Sequence, residues 1–293
     1  MPVDLVPESE TPAVNRTIEG LDALETVTDH RPSFARRALS ATWPKLLAVF
    51  AFVGAWQLLV LSEWRPRHAL AGPTDVWSQL GDLQGEGRIA TALRITLERA
   101  ITGYAIALVI GGLLGVAIAS SKVVRSAIGA WITGLQTMPS VAWFPLAILL
   151  FRISEQAILF VVVLGAAPSI ANGLVAGIDN VPPLLTRAGR VLGARGISSW
   201  RFVKLPAALP YFLGGLKQGW AFAWRSLMAG ELLVIVPGAA SLGVILQTGR
   251  DINDSALLLS GMLIILLVGL VVDAVFFANI ERFVRRRWGL LNS

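Results

Sequence analysis

The chain has 293 residues, of which 55% are hydrophobic and only 15% charged, and its mean hydropathy is +0.66. A soluble chain carries roughly 25% charged residues, so this one lacks the groups to cover a water-facing surface; soluble enzymes, disordered proteins and collagen-like chains are excluded. The net charge of +6 combines 25 basic with 19 acidic residues, cysteine is absent, and the histidines are His30 and His68 alone. That composition removes disulfides, thiolate ligands and cysteine nucleophiles, and no metal site is expected.

Residues 1–42 carry seven acids against four arginines. They hold no apolar run behind a basic start, so they do not read as a secretory signal. The expectation is a solvated, mostly disordered acidic tail. From Trp43 to Trp288 the chain falls into apolar stretches of the roughly 20 residues needed to cross a bilayer. These are Leu46–Leu61, Ala100–Ala119, Ala127–Phe151, Ala157–Ile178, Ala207–Val236 and Ala256–Ala278. The predicted fold is all-α, a polytopic six-helix membrane domain over 43–288, with a short inner end at 289–293.

An even number of spans puts both termini on one side. Basic residues favour the inner side. With the N-terminus inside, the inner segments hold sixteen and the outer connections seven, and Lys217 and Arg225 within the fifth span complete the 25. The basic excess therefore faces the inner leaflet and inner partners, and no nucleic-acid role is needed to explain it. Ahead of the second span, Ile89, Leu93, Leu97 and Ile101 repeat at helical spacing and predict an amphipathic outer helix. Gly111 and Gly115 form a GxxxG pair.

The inner connection 179–209 is the most informative segment. Pro182 and Pro183 can open a helix, Leu184–Leu192 is helix-compatible, Gly193 breaks it, and Ile197–Lys204 can form a second short helix. Pro206 and Pro210 then punctuate the start of the fifth span. The expected product is a basic helix–turn–helix with an apolar ridge of Leu192, Trp200, Phe202 and Val203, able to seat in a groove on another protein.

Its spacing, Arg187-Ala188-Gly189-x3-Gly193-Ala194-x8-Val203-x-Leu205-Pro206, resembles the EAA loop of ATP-binding-cassette importer permeases. Arginine replaces the usual glutamate at 187 and glycine the usual second alanine at 189. LQTMPSVAWFPLAILLF in the third span, and LPYFLGGLKQGWAFAW with LMAGELL in the fifth, are similar to the branch serving nitrate, taurine, alkanesulfonates and bicarbonate. The resemblance implies the type I importer fold, with this loop as the coupling helix. It further implies a cytoplasmic ATPase dimer holding ATP and Mg, a second permease chain expected to form a homodimer, and an extracytoplasmic solute-binding protein. No phosphate-binding loop is present in this chain, so it is expected to bind no cofactor itself.

Ionisable groups inside a membrane cost about 2.5–3.5 kcal/mol each and usually face a path or one another. Arg225 is therefore a candidate for holding an anion, or for pairing with Glu231 across helices. Lys217 either snorkels or faces inward, and Asp273 reads as a helix-end or interhelical group. Gln136, Ser140 and Trp143, near Pro139 and Pro145, and Asn172, near Pro168, are further path-lining candidates because broken helices are tolerated where they border a cavity. Trp224 completes the set. Two other classes stay open on the sequence. A self-contained ion-coupled carrier predicts inverted repeats, and a membrane enzyme predicts acidic pairs that are not found.

Overall fold

The computed structural model describes residues 34–66 and 68–288, and the regular structure among them is helical throughout. The chain divides after Ala55; all packing reported below lies within the part that begins at Trp56. The helices are α1 Phe34–Leu61, α2 Pro73–Gly85, α3 Arg88–Ser120, α4 Lys122–Thr137, α5 Phe144–Phe151 and α6 Glu155–Asp179. They continue as α7 Pro183–Val191, α8 Leu205–Leu233, α9 Leu242–Asp251, α10 Ser255–Val271 and α11 Ala278–Arg287. A π turn, Val272–Phe277, joins the last two into one run.

Four helical runs are long and apolar enough to cross a membrane: Thr42–Leu61, Arg88–Ser120, Glu155–Asp179 and Ser255–Arg287. The expected third span is broken. α4 and the segment Ser140–Phe151 meet at 104°. Pro139 precedes a 3-10 turn, Ser140–Trp143, and Pro145 stands in the first turn of α5, where its missing N–H costs no helical bond. α8 has 29 residues, about 43 Å at 1.5 Å per residue, but Lys217, Arg225 and Glu231 make it too polar to count as an apolar segment. Each of the six expected spans thus has a helical counterpart.

Three expectations need correction. α1 begins at Phe34, so residues 34–42, assigned to the tail, are helical; residues 1–33 and 289–293 lie outside the described residues. The amphipathic segment leads into the second span within one helix, α3, and its Ile89 and Leu93 pack against a core, but Ile101, counted in the same stripe, is exposed, and the buried positions there are Ala92, Thr96, Arg99, Ala100 and Gly103. The connections between spans also contain two helices with no predicted counterpart, α2 and α9. Both are short and lie between spans whose stronger apolar signal dominates the pattern.

Packing centres on α6, whose Ala166, Ile170 and Ala171 are fully buried. Small residues let its neighbours approach. A Cβ on Gly111 of α3 would lie 2.5 Å from Ala167 O, and one on Gly115 3.0 Å from Ala171 O, so the GxxxG pair is the α3–α6 contact. On the other side α6 and α8 cross glycine to glycine: a Cβ on Gly173 would stand 2.3 Å from the Cα of Gly215.

Candidate functional site

The connection 179–209 folds as an elbow closed by backbone chemistry. α7 ends at Val191, and two residues on the chain turns at Gly193, whose φ of +85° is a left-handed value that side chains disfavour. Gly193 N–H donates to Arg190 O at 3.1 Å and Ala194 N–H to Gly189 O at 2.8 Å. This pair of bonds is a Schellman motif, which satisfies the last carbonyls of a helix and requires a left-handed residue at the position Gly193 holds. The chain turns again at Gly196, φ +55°, and passes through a single turn Ile197–Ser199 into a π turn, Trp200–Lys204. There Leu205 N–H reaches back to Trp200 O, and Pro206, which has no N–H to offer, follows in the first turn of α8. The second arm of the elbow is therefore continuous with the fifth span, not a separate helix.

The two arms touch at one point. A Cβ on Gly189 would meet Val203 Cγ2 at 2.7 Å, so the glycine at 189 lets Val203 close on α7. At its base the elbow is tied down by Arg125, which donates to both carboxylate oxygens of Asp179 at 2.9 Å.

Of the predicted ridge, Leu192, Phe202 and Val203 line one groove and Trp200 stands apart from it. Val203 is packed on Gly189, Trp200 is half-buried beneath the Lys204 ammonium at 4.7 Å, and Leu192 and Phe202 are exposed. The apolar tip is instead Val191, Leu192 and Ile197, each 86–87% exposed. Val191 and Ile197 flank the turn that runs through Gly193 and Gly196. Around the tip Arg187, Arg190 and Arg195 are exposed, as is Ala188; Ala194 is half-buried.

The candidate path residues separate into three groups. Gln136 donates to Ser169 Oγ at 2.8 Å and accepts from Asn172 Nδ2 at 2.5 Å, so Gln136 and Asn172 clamp α4 to α6. Ser140 and Trp143 sit in the 3-10 turn of the broken span, with Trp143 against the apolar core. Trp224 is half-buried and stacks on Trp220, with ring centroids 6.2 Å apart. Arg225 is exposed. It donates to Ala221 O at 3.1 Å, its guanidinium lies 4.7 Å from the Phe222 ring centre, and among the described residues it meets no carboxylate.

The suggested pairing of Arg225 with Glu231 is not formed. Glu231 is 1% exposed and accepts from Thr96 Oγ1 at 3.0 Å, Arg99 Nη1 at 2.9 Å and Gly243 N–H at 2.9 Å. The last places its carboxylate on the N-terminus of α9, where orphan N–H groups and the helix dipole favour negative charge. Arg99 also holds Glu155 through Nε at 2.7 Å. Glu231 is thus a buried anchor joining α3, α8 and α9, and it does not line a path. Arg99 was assigned to an outer connection; what marked it was its place among the small residues of α3. Lys217 pairs with Asp273 at 2.7 Å, which makes Asp273 an interhelical group and gives Lys217 a partner.

Five exposed positions of α8 recur at spacings of three and four: Tyr211, Gly214, Gln218, Ala221 and Arg225. They form one stripe, and an arginine and a glutamine on it are costly against lipid. A crossing bundle with a broken span, an elbow bearing an uncovered apolar tip, and a polar helix face defines a membrane transport subunit.

Residues 107–286 match the family described as binding-protein-dependent transport system inner membrane component, and the chain belongs to that family. It is the permease subunit of an ABC importer, a transport subunit and not an enzyme. It is 28% identical over 240 residues to a nitrate import permease protein of Leptolyngbya laminosa, covering 79% of this chain and 84% of the relative. It is 30% identical over 190 residues to a putative ABC transporter permease of Methanocaldococcus jannaschii, covering 64% and 70%. With the taurine transport system permease of Escherichia coli it shares 26% over 249 residues, 81% and 90% of the two chains. In fold it matches a chain of the MetNI methionine ABC transporter in an inward-facing conformation, with a TM-score of 0.58, 22% identity and coverage of 67% of this chain and 96% of that one. A chain of an amino acid ABC transporter matches with a TM-score of 0.56, 18% identity and coverage of 71% and 97%.

Proposed function

We propose that two copies of this chain form the path of an importer for a small oxyanion such as nitrate or a sulfonate, with both termini in the cytoplasm. A cytoplasmic ATPase dimer, carrying ATP and Mg, grips the elbow, and an extracytoplasmic binding protein delivers the solute. The observation that carries the reading is the tip of Val191, Leu192 and Ile197, exposed on a turn whose backbone is closed by Gly189, Gly193 and Ala194. An apolar tip ringed by arginines on a rigid turn suits insertion into a groove on an inner partner. Arg187 brings a positive charge where related loops carry an acid, so the partner groove is expected to present an acid there.

The part of that stripe from Gln218 to Arg225 is the side of α8 assigned to the path. Arg225 supplies a charge for an anion, and Phe222 beneath its guanidinium holds the plane by a cation–π contact. Relatives named for nitrate and taurine import support the anion class. Uptake into proteoliposomes containing the whole complex, with nitrate and taurine each tested against an uncharged solute, decides the reading. ATP-dependent uptake of an anion supports it; uptake driven by an ion gradient in the isolated chain overturns it.

A further inference from the structure

Between the elbow, whose Leu185, Gly189 and Val203 form part of the lining, and the last helix lies a groove of about 1130 Å³. One wall is α8 from Pro206 to Lys217; the other runs from Phe277 to Trp288 along α11. The eleven rises between the twelve residues of each wall give it about 16 Å at 1.5 Å per residue. That matches the roughly 15 Å that one leaflet contributes to a hydrocarbon core about 30 Å thick. The walls are mainly apolar, with Leu213, Phe277 and Val284 among the residues facing the space. Both walls adjoin π turns, Trp200–Lys204 and Val272–Phe277, a distortion found mostly at functional sites.

The end of the groove away from Lys217 is basic. α11 carries Arg282, Arg285, Arg286 and Arg287 within six residues, all exposed, against the one acid Glu281. Arg285 lines the groove and is held toward it by Glu281 at 2.7 Å. A cluster of four or more bases directly inside a crossing helix attracts anionic headgroups, and basic pockets between helices on that side bind them. Tyr211 and Trp288 also line the groove and are of the aromatic types that settle at headgroup level.

We propose that an anionic phospholipid of the inner leaflet occupies this groove, its acyl chain along α8 and α11 and its phosphate at Arg285 and Arg286. This rests on the inward orientation proposed above. Because Gly189 and Val203, where the arms of the elbow meet, form part of the same wall, the lipid braces the elbow from behind. The anionic lipid content of the membrane then sets how firmly ATPase movement is passed to α8.

Gly214 provides the means of testing it. It faces the groove, and a Cβ there meets nothing within 4 Å, so Gly214→Phe fills the space without a clash inside the chain. The permease is purified with its ATPase from a membrane containing phosphatidylglycerol, and retained lipid is counted by native mass spectrometry. Wild type is expected to keep one phosphatidylglycerol per permease chain, Gly214→Phe none, and Arg285→Gln to hold it about fivefold more weakly. In phosphatidylcholine nanodiscs, added phosphatidylglycerol is expected to raise coupled ATP hydrolysis in wild type but not in Gly214→Phe. Equal retention by all three proteins overturns the proposal. So does loss of the second chain or the ATPase from Gly214→Phe with lipid unchanged, which assigns the groove to a protein contact. If wild type binds no ATPase, the transport reading fails, and lipid retention by the permease alone still decides this one.

Discussion

The Arg99 guanidinium donates to the Glu231 carboxylate at 2.9 Å, linking α3 to α8 with both side chains almost fully withdrawn from solvent, at 7% and 0% exposure. Thr96 and the N-terminus of α9 complete the shell around Glu231. Removing Glu231 leaves Arg99 its bond to Glu155 but strands the buried Thr96 hydroxyl and Gly243 N–H, at about 1–3 kcal/mol for each unsatisfied group. Glu231→Ala is therefore expected to lower the thermal unfolding midpoint and yield of the purified permease sharply. Glu231→Gln, which keeps an acceptor for Thr96 and Gly243, is expected to lose less. A midpoint unchanged in Glu231→Ala would remove the anchor role.

Arg225 makes the contrasting case. It is exposed and meets no carboxylate among the described residues, so Arg225→Gln is expected to leave the unfolding midpoint within a degree or two of wild type. Anion uptake by the reconstituted complex should fall about tenfold or more, as loss of a charged hydrogen bond of roughly 1.5–3 kcal/mol implies. Equal loss of stability and uptake would make Arg225 structural.

Gly193 can be tested through its backbone. A non-glycine residue held in a left-handed conformation costs about 1–2 kcal/mol, and Asn tolerates that conformation better than most. Gly193→Asn is expected to couple ATP hydrolysis to transport nearly normally, Gly193→Val poorly, with ATPase binding measured in the same samples. Normal transport by Gly193→Trp would count against the elbow as the coupling element.

Gly189 and Val203 can be tested as a pair. Gly189→Ala places a methyl 2.7 Å from Val203 Cγ2, and overpacking of this kind costs about 1–3 kcal/mol. Coupled ATPase activity is expected to fall in Gly189→Ala and to recover in Gly189→Ala/Val203→Ala, where the blocking methyls are gone. Additive losses in the double variant would show that the arms do not meet there in the working complex.

The unbroken contact of Gly173 with Gly215 predicts a different failure. Gly173→Val inserts three carbons where the facing Cα leaves no room, so α6 and α8 cannot cross at their present distance. The expected outcome is loss of monodisperse protein in size-exclusion chromatography, not a selective transport defect.

Apolar length, the bias of Arg and Lys between connections, and the glycine and proline positions of 179–209 are local properties. They were sufficient to read an all-α membrane permease and the turn at Gly193, because span length and turn chemistry are set by residues close together in the chain. What an ionisable residue does depends on which distant helix it meets. Glu231 and Arg225 are six residues apart on α8 and look alike as intramembrane charges. Yet one is buried against Arg99, 132 positions away, and the other is left on an exposed face. The same holds for the elbow, where Val203 belongs to the fold because it closes on Gly189, while Val191 and Ile197 became the tip because nothing covers them. Composition and periodicity put these residues in helices; only the crossing of α3, α6 and α8 decided which charges were neutralised and which were left available to a partner.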